Sequence, residues 1–306
     1  MTVSEATLPG RPAGPLHRFR RRPAAVASLG LLLVIGILCL AAPLVARLLG
    51  TDAETIDLLG RLQPPSLAHP LGTDELGRDV LLRLLYGGRI SLLVGLGGAL
   101  IASAIGLVIG ILSGWIGGLF DRVTMRITDA VIALPLLPLL IVLAAVDPLK
   151  LGLPAAFAGG AAASVLRIMV IVALFGWTTV ARLARAATLS VKNREFVLAA
   201  HALGAPPGRI LRVHVLPNVA APVVVATTLS VGNVILAESV LSFLGLGIQP
   251  PLASWGTMLT NAQELMFGAP ALALWPGLLI FLTVLTFNLM GDGLQEALDP
   301  RQSRHP

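Results

Sequence analysis

The side chains able to do chemistry are few and scattered. Histidines stand at positions 17, 69, 201, 214 and 305, and Cys39 is the one cysteine. That pattern gives no metal-ligand cluster and no internal disulfide. Lys150 and Lys192 are followed by Leu151 and Asn193. Neither stands in the Gly-x-x-x-x-Gly-Lys-[Ser/Thr] frame whose amides and lysine hold nucleotide phosphates. No Gly-x-Ser-x-Gly elbow and no His-Glu-x-x-His pair occurs. The acids set in apolar sequence are Asp129, Glu238 and Asp292, fewer than the relay expected of a proton-driven carrier. The chain offers a path without a catalytic group, a cofactor site or an energy source of its own.

The medium that holds these residues is lipid. The chain has 306 residues, 56% hydrophobic and only 12% charged, with a mean hydropathy of +0.87. A soluble domain carries about 25% charged residues, and half that is too little to coat a water-facing surface. The net charge of +6 gathers at the ends of apolar blocks, which speaks for membrane topology and against nucleic acid.

A helical crossing needs about 20 apolar residues. Ala24–Ala46, Ile90–Phe120, Ile127–Val146, Val219–Ala237 and Ala271–Met290 qualify. Between Lys150 and Arg182, Arg167 divides the sequence into two short stretches. The reading adopted is a span from Arg167 to Arg182, both arginines snorkelling outward, with 151–166 re-entrant or interfacial. Six spans result. The division is 1–23 cytoplasmic tail, 24–48 first span, 49–89 extracytoplasmic loop with an interfacial helix carrying Val80, Leu81, Leu84 and Leu85 on one side, 90–294 five-helix membrane domain and 295–306 cytoplasmic tail. The first block is longer than a signal-peptide core and is expected to stay as an anchor. Placing both termini inside puts most arginines and lysines on the cytoplasmic side, although Arg47, Arg61, Arg78, Arg83, Arg89, Lys150 and Arg167 remain outside. Trp115 and Trp177 then fall near inner interfaces, Trp255 and Trp275 near outer ones.

The segment Ser190–Asn218 reads SVKNREFVLAAHALGAPPGRILRVHVLPN. Asn193 is a plausible N-cap, with Glu195 in the first turn where the helix dipole favours an acid. Phe196, Ala199, Ala200 and Leu203 share one face. Gly204 suits the left-handed position that ends a helix. Pro206 and Pro207 then turn the chain into a second short helix, about Gly208–Val215, bearing Arg209 and Arg212 and closed or kinked by Pro217. The resulting amphipathic hairpin either binds another protein or lies on the membrane or on its own subunit.

Span two carries Gly98, Ala102, Gly106, Gly110 and Gly114 at four-residue spacing. Such a face lets helix backbones approach closely, either inside the subunit or at a pore or partner interface. Asn233 and Glu238 are polar groups near the outer part of span five. They are expected to face a translocation path or, for Glu238, to cap a neighbouring helix.

The hairpin resembles the EAA loop of ABC importer permeases: Leu198, Ala199, Ala200, Gly204, Leu216 and Pro217 fall on that spacing. Leu198 replaces the family's usual glutamate, and His214 stands at the usual isoleucine. His69–Gly95, Leu236–Leu259 and Phe287–Arg301 are similar to the C-type subunit of dipeptide, oligopeptide and nickel importers. The resemblance implies an all-α membrane protein with the MetI-like fold of type I ABC importers, and a coupling loop at 188–217 that docks on an ATPase. It also implies a second permease forming a heterodimer, two ABC ATPase subunits and an extracytoplasmic substrate-binding protein. The cargo stays open among peptides, nickel chelates, glutathione and other small polar solutes. The competing readings are a self-sufficient channel or carrier, disfavoured by the scarcity of intramembrane charge, and a membrane enzyme, which lacks a catalytic constellation.

Overall fold

The fold was analysed in a computed structural model, which describes residues 14–146, 150, 152 and 160–298. A short helix α1 (Pro15–Arg20) leads into α2 (Pro23–Leu40), followed by α3 (Ala42–Leu49), α4 (Val80–Ile116), α5 (Gly118–Ala133), α6 (Leu136–Ala145), α7 (Ala161–Lys192), α8 (Glu195–Ala202), α9 (Pro207–Ile210), α10 (Leu216–Phe243), α11 (Ala262–Leu265) and α12 (Ala271–Leu298). Among the described residues there is no strand, only an isolated bridge between Thr73 and Asp79. Helices α2, α4, α7, the run Pro207–Phe243 and α12 are each long and apolar enough to cross a membrane. The pair α5 and α6 makes a sixth crossing if counted as one span bent by 87°.

Prolines set two of the breaks. Pro43 lacks an N–H and crowds the carbonyl four residues earlier, so the first block divides at Ala41 into α2 and α3. Leu134 precedes Pro135 and is held extended at φ −76°, ψ 139°, which ends α5 and bends the third crossing.

Helix α4 packs along α7, α10 lies against α4, α7 and α12, and α2 leans on α12 and α4. The small-residue stripe makes the first contact possible. A Cβ on Gly106 would stand 2.5 Å from the Trp177 carbonyl, one on Gly110 2.4 Å from that of Ala181, and one on Gly114 2.8 Å from Thr188 Cβ. Ala102 meets Gly176 in the same seam, and Gly98 meets Val234 of α10. The stripe therefore packs inside the subunit.

Several expectations need correction. The interfacial helix with Val80, Leu81, Leu84 and Leu85 is no separate element but the first turns of α4, capped by Asp79, whose side chain accepts from the Leu82 N–H at 2.8 Å. The fourth span begins at Ala161 and extends through Arg182 to Lys192, so Arg167 lies two turns inside a helix and residues 161–166 are not re-entrant. At about 1.5 Å per residue the helix outruns a hydrocarbon core of roughly 30 Å. Most of 151–160 lies outside the described residues. Trp177 consequently sits mid-helix. Trp255 is fully buried, its indole N–H donating to the Leu84 carbonyl at 2.9 Å, so it is a core residue and not an interfacial anchor.

Candidate coupling surface

The hairpin forms, with two changes. Asn193 is no N-cap: it ends α7, and Arg194 precedes α8 without a side-chain cap. The second short helix does not stop at Pro217. Helix α9 passes through a π-turn at Leu211–Val215 directly into α10, the Leu216 N–H bonding five residues back to Leu211. That widened turn makes room for the Pro217 ring, which an α-turn would crowd.

The turn between α8 and α9 is fixed by backbone geometry. Gly204 adopts φ +79°. Its N–H donates to His201 O at 3.0 Å, and the Ala205 N–H donates to Ala200 O at 3.1 Å. These are the two bonds of a Schellman termination. Pro206 is extended, and its carbonyl accepts from Arg209 at 2.9 Å and Ile210 at 3.2 Å, opening α9 with Pro207 at its first position.

Two faces result. Val197 of α8, Ile210 of α9, Val215 and Val219 are buried in one cluster with Val180, Ala184 and Val191 of α7. Ala200 and Ala205 pack at its edge. On the opposite side Phe196, Leu198 and Leu203 are 41%, 56% and 88% exposed, and Ala199 is open beside them. Val213 and Leu216, on either side of the π-turn's end, are exposed as well. The Phe196 and His214 rings meet at 5.9 Å. Glu195, His201 and Arg209 lie exposed around it. Of the four residues read as one face, Phe196, Ala199 and Leu203 are exposed while Ala200 packs at the edge of the buried cluster, and the reading missed Val197, the residue that anchors α8. In this apolar stretch Val197 and Ala200 make an equally good i, i+3 stripe, so periodicity alone does not choose the buried side.

The base of the hairpin is braced by charge. Arg185 of α7 donates through Nε and Nη2 to the two carboxylate oxygens of Asp121, each at 2.5 Å. Ser113 Oγ also donates to Asp121. Lys192 Nζ donates to the Trp115 carbonyl at 2.5 Å and stands 5.4 Å from the Trp115 ring centroid. Neither link was legible in the sequence, because each joins residues far apart along the chain.

Glu238 and Asn233 are not brought together. Asn233 is exposed on α10. Glu238 is fully buried, accepting from Ser91 Oγ of α4 at 3.2 Å and from Ser242 Oγ at 2.7 Å. Ser91 Oγ in turn accepts the Trp255 N–H at 3.2 Å. The carboxyl thus ties α10, α4 and the 254–255 segment together. Among the described residues no cluster of histidine, cysteine or acid could hold a metal ion.

Residues 106–304 match the family model for the binding-protein-dependent transport system inner membrane component. The chain belongs to this family. Residues 16–65 match the N-terminal transmembrane domain of oligopeptide transport permease C, so this is a permease of the C type, a transport subunit and not an enzyme. It is 38% identical to the oligopeptide transport system permease protein OppC of Bacillus subtilis over 93% of this chain and 88% of that protein. It is 41% identical to the glutathione transport system permease protein GsiD of Pectobacterium atrosepticum, over 93% and 89%. It is 39% identical to the dipeptide transport system permease protein DppC of Bacillus subtilis, over 94% and 85%. The MetNI methionine ABC transporter, in an inward-facing conformation, is similar at TM-score 0.49 and 19% identity, over 68% of this chain and 94% of its own.

Proposed function

We propose that this permease forms half of the path of an ATP-driven importer for di- or oligopeptides or a peptide-like solute such as glutathione, and that α8 is the part a separate ATPase subunit grips. The observation that carries the reading is the two-sided hairpin: Phe196, Leu198 and Leu203 open to a partner while Val197, Ile210 and Val215 pin the other side. An exposed apolar patch on a rigid support marks a protein contact. With Leu198 where the family carries an acid, this contact is made by apolar surface and not by a carboxylate at that position.

Force on α8 has two rigid routes. One enters α7 through the cluster at Val180, Ala184 and Val191. The other enters α10, because the helix from Pro207 to Phe243 is unbroken. Closure of two ATPase subunits would move both together and rock the bundle between outward- and inward-open states. Asn233, on the exposed face of α10, is assigned to the path. The hairpin and both termini face the cytoplasm, and the 49–79 loop faces a substrate-binding protein outside. A second permease completes the path.

The test uses the whole transporter in proteoliposomes. Phe196→Ala with Leu203→Ala is expected to abolish ATP-dependent peptide uptake while the permease stays inserted and the ATPase dissociates. Uptake and ATPase retention at the wild-type level would overturn the assignment. So would labelling of Leu203→Cys by an impermeant maleimide from the outer side of intact cells.

A further inference from the structure

At the end of the bundle opposite the hairpin, a cavity of about 1310 Å³ opens between α2, the first turns of α4 and the 245–265 segment. Its charges divide into satisfied and unsatisfied ones. Asp74 is paired with Arg78 and Arg83. Arg89 also lines the cavity, yet makes no ion pair with any described residue; its guanidinium stands 5.7 Å from the Tyr86 ring centroid. Asp52 and Glu54 form a rim, Asp52 accepting from the Glu54 N–H at 3.1 Å, and neither meets a cation among the described residues.

These groups are ordered by depth. Arg89 lies ten residues into α4, about 15 Å along its axis. Leu93 and Leu96, one and two turns further along α4, line the same cavity together with Gly36 of α2, which lies one turn before the Cys39 that packs against Gly88. Leu93, Leu96 and Leu100 continue as an exposed stripe, 52%, 43% and 60% accessible. Tyr86 lies one turn nearer the start of α4, and Asp52 and Glu54 precede Asp57, whose backbone packs on Gly77 just before that helix. Along α4 from its middle toward its start the lining runs from leucines to a cation and an aromatic ring, with the acids on the segment that follows α3.

We propose that this cavity seats an amine-bearing phospholipid, with Arg89 on the phosphate, Asp52 and Glu54 on the ammonium, and an acyl chain along Leu93 and Leu96. The order of the cavity is the complement of such a lipid, in which hydrocarbon, phosphate and amine follow one another along the molecule. Arginine suits phosphate because its planar fork donates two bonds at once, and a tyrosine beside it suits the interfacial depth. A zwitterionic peptide would satisfy the charges but leave the apolar half against water, so the lipid is the better occupant. A cavity above the usual 300–1,000 Å³ of small-ligand sites also leaves room for part of a chain.

Native mass spectrometry of the full-length chain with its co-expressed partner subunits reads the occupancy directly. Dioleoylphosphatidylethanolamine is expected to be retained over dioleoylphosphatidylglycerol. Arg89→Ala should lower its retention about tenfold, the equivalent of one lost charge-assisted contact. Arg89→Lys, which keeps a point charge, should lose less. Asp52→Asn with Glu54→Gln should abolish the preference between the two lipids while binding persists. All three residues lie at accessible positions, so insertion and thermal melting should match the parent. Equal retention in Arg89→Ala and the parent would overturn the proposal. So would displacement of the lipid from the parent by an equal concentration of trialanine, which would give the cavity to cargo instead.

Discussion

Arg185 grips Asp121 with two donors, Nε and Nη2, each 2.5 Å from its carboxylate oxygen, across a separation of 64 residues. The pair fastens the start of α5 to the part of α7 that leads into the α8–α9 hairpin, and Ser113 adds α4 to the same junction. A forked, partly exposed pair with two donors is worth more than a surface ion pair held by a single contact. Asp121→Asn is expected to cost about 2 kcal/mol and to lower the melting temperature of the detergent-purified permease. Arg185→Lys should cost nearly as much, because lysine keeps the charge and loses the fork. A double-mutant cycle with both residues changed to alanine checks the point. A coupling energy indistinguishable from zero would show that the junction is held by helix packing alone.

Gly204 isolates backbone from contact. A Cβ there meets nothing within 4 Å, yet φ is +79°. Any loss on substitution is therefore conformational. Gly204→Asn, which tolerates the left-handed region, should keep most uptake activity. Gly204→Val should lose it, the strain being on the order of 1–3 kcal/mol, with insertion into the membrane unchanged. Gly204→Asp should fall between in stability and lose uptake if its charge meets the apolar face of Phe196 and Leu203. Transport per inserted molecule, measured against expression by immunoblot, separates these outcomes.

The α4–α7 seam gives a contrast between two glycines of similar sequence context. A methyl on Gly106 must displace the Trp177 carbonyl, whereas one on Gly30 of α2 meets nothing within 4 Å. Gly106→Ala is expected to destabilise the fold by about 1–3 kcal/mol, as overpacking does. Gly30→Ala should be neutral or slightly stabilising through helix propensity. Thermal aggregation of the two variants in the same detergent decides. Equal melting would mean the two helices separate at little cost.

What could be read in advance follows the range of the interaction. Most of the crossings, the hairpin and the turn at Gly204 depend on local composition and on single residues with restricted dihedrals, so they were legible, whereas the 87° bend of the third block was not. The small-residue stripe was legible as a packing face, but its partner was not, because residues 106 and 180 are neighbours only in space. Arg167 misled the reading of the fourth span: a charge was taken to mark a helix end, whereas the long side chain is tolerated two turns inside. Trp255 misled it similarly, since an indole next to polar sequence looks interfacial until Gly88 is seen to admit it to the core. The anchoring side of α8 stayed ambiguous because both of its faces are apolar.

Acidity should loosen the 57–83 region before it loosens the bundle. Burial pushes the Asp74 carboxyl up, but the Arg78 N–H, the charges of Arg83 and Arg78, and the Leu76 N–H together outweigh it and hold the group below its ordinary value of 3.8. The carboxylate form is thus bound more tightly in the folded loop than in the unfolded one. For a depressed acid the stabilisation is complete above the ordinary value and is lost as pH falls through it toward the folded value. Asp74 also accepts from the Leu76 and Arg78 N–H groups, each at 2.9 Å, so protonation releases backbone as well as side chains. Hydrogen exchange of the amides at 76 and 78 should accelerate, relative to their intrinsic rates, as pH drops below 3.8, while amides of α7 change little. Asp74→Asn should show fast exchange already at neutral pH and no such acid step. An identical acid step in Asp74→Asn would assign the transition to another group.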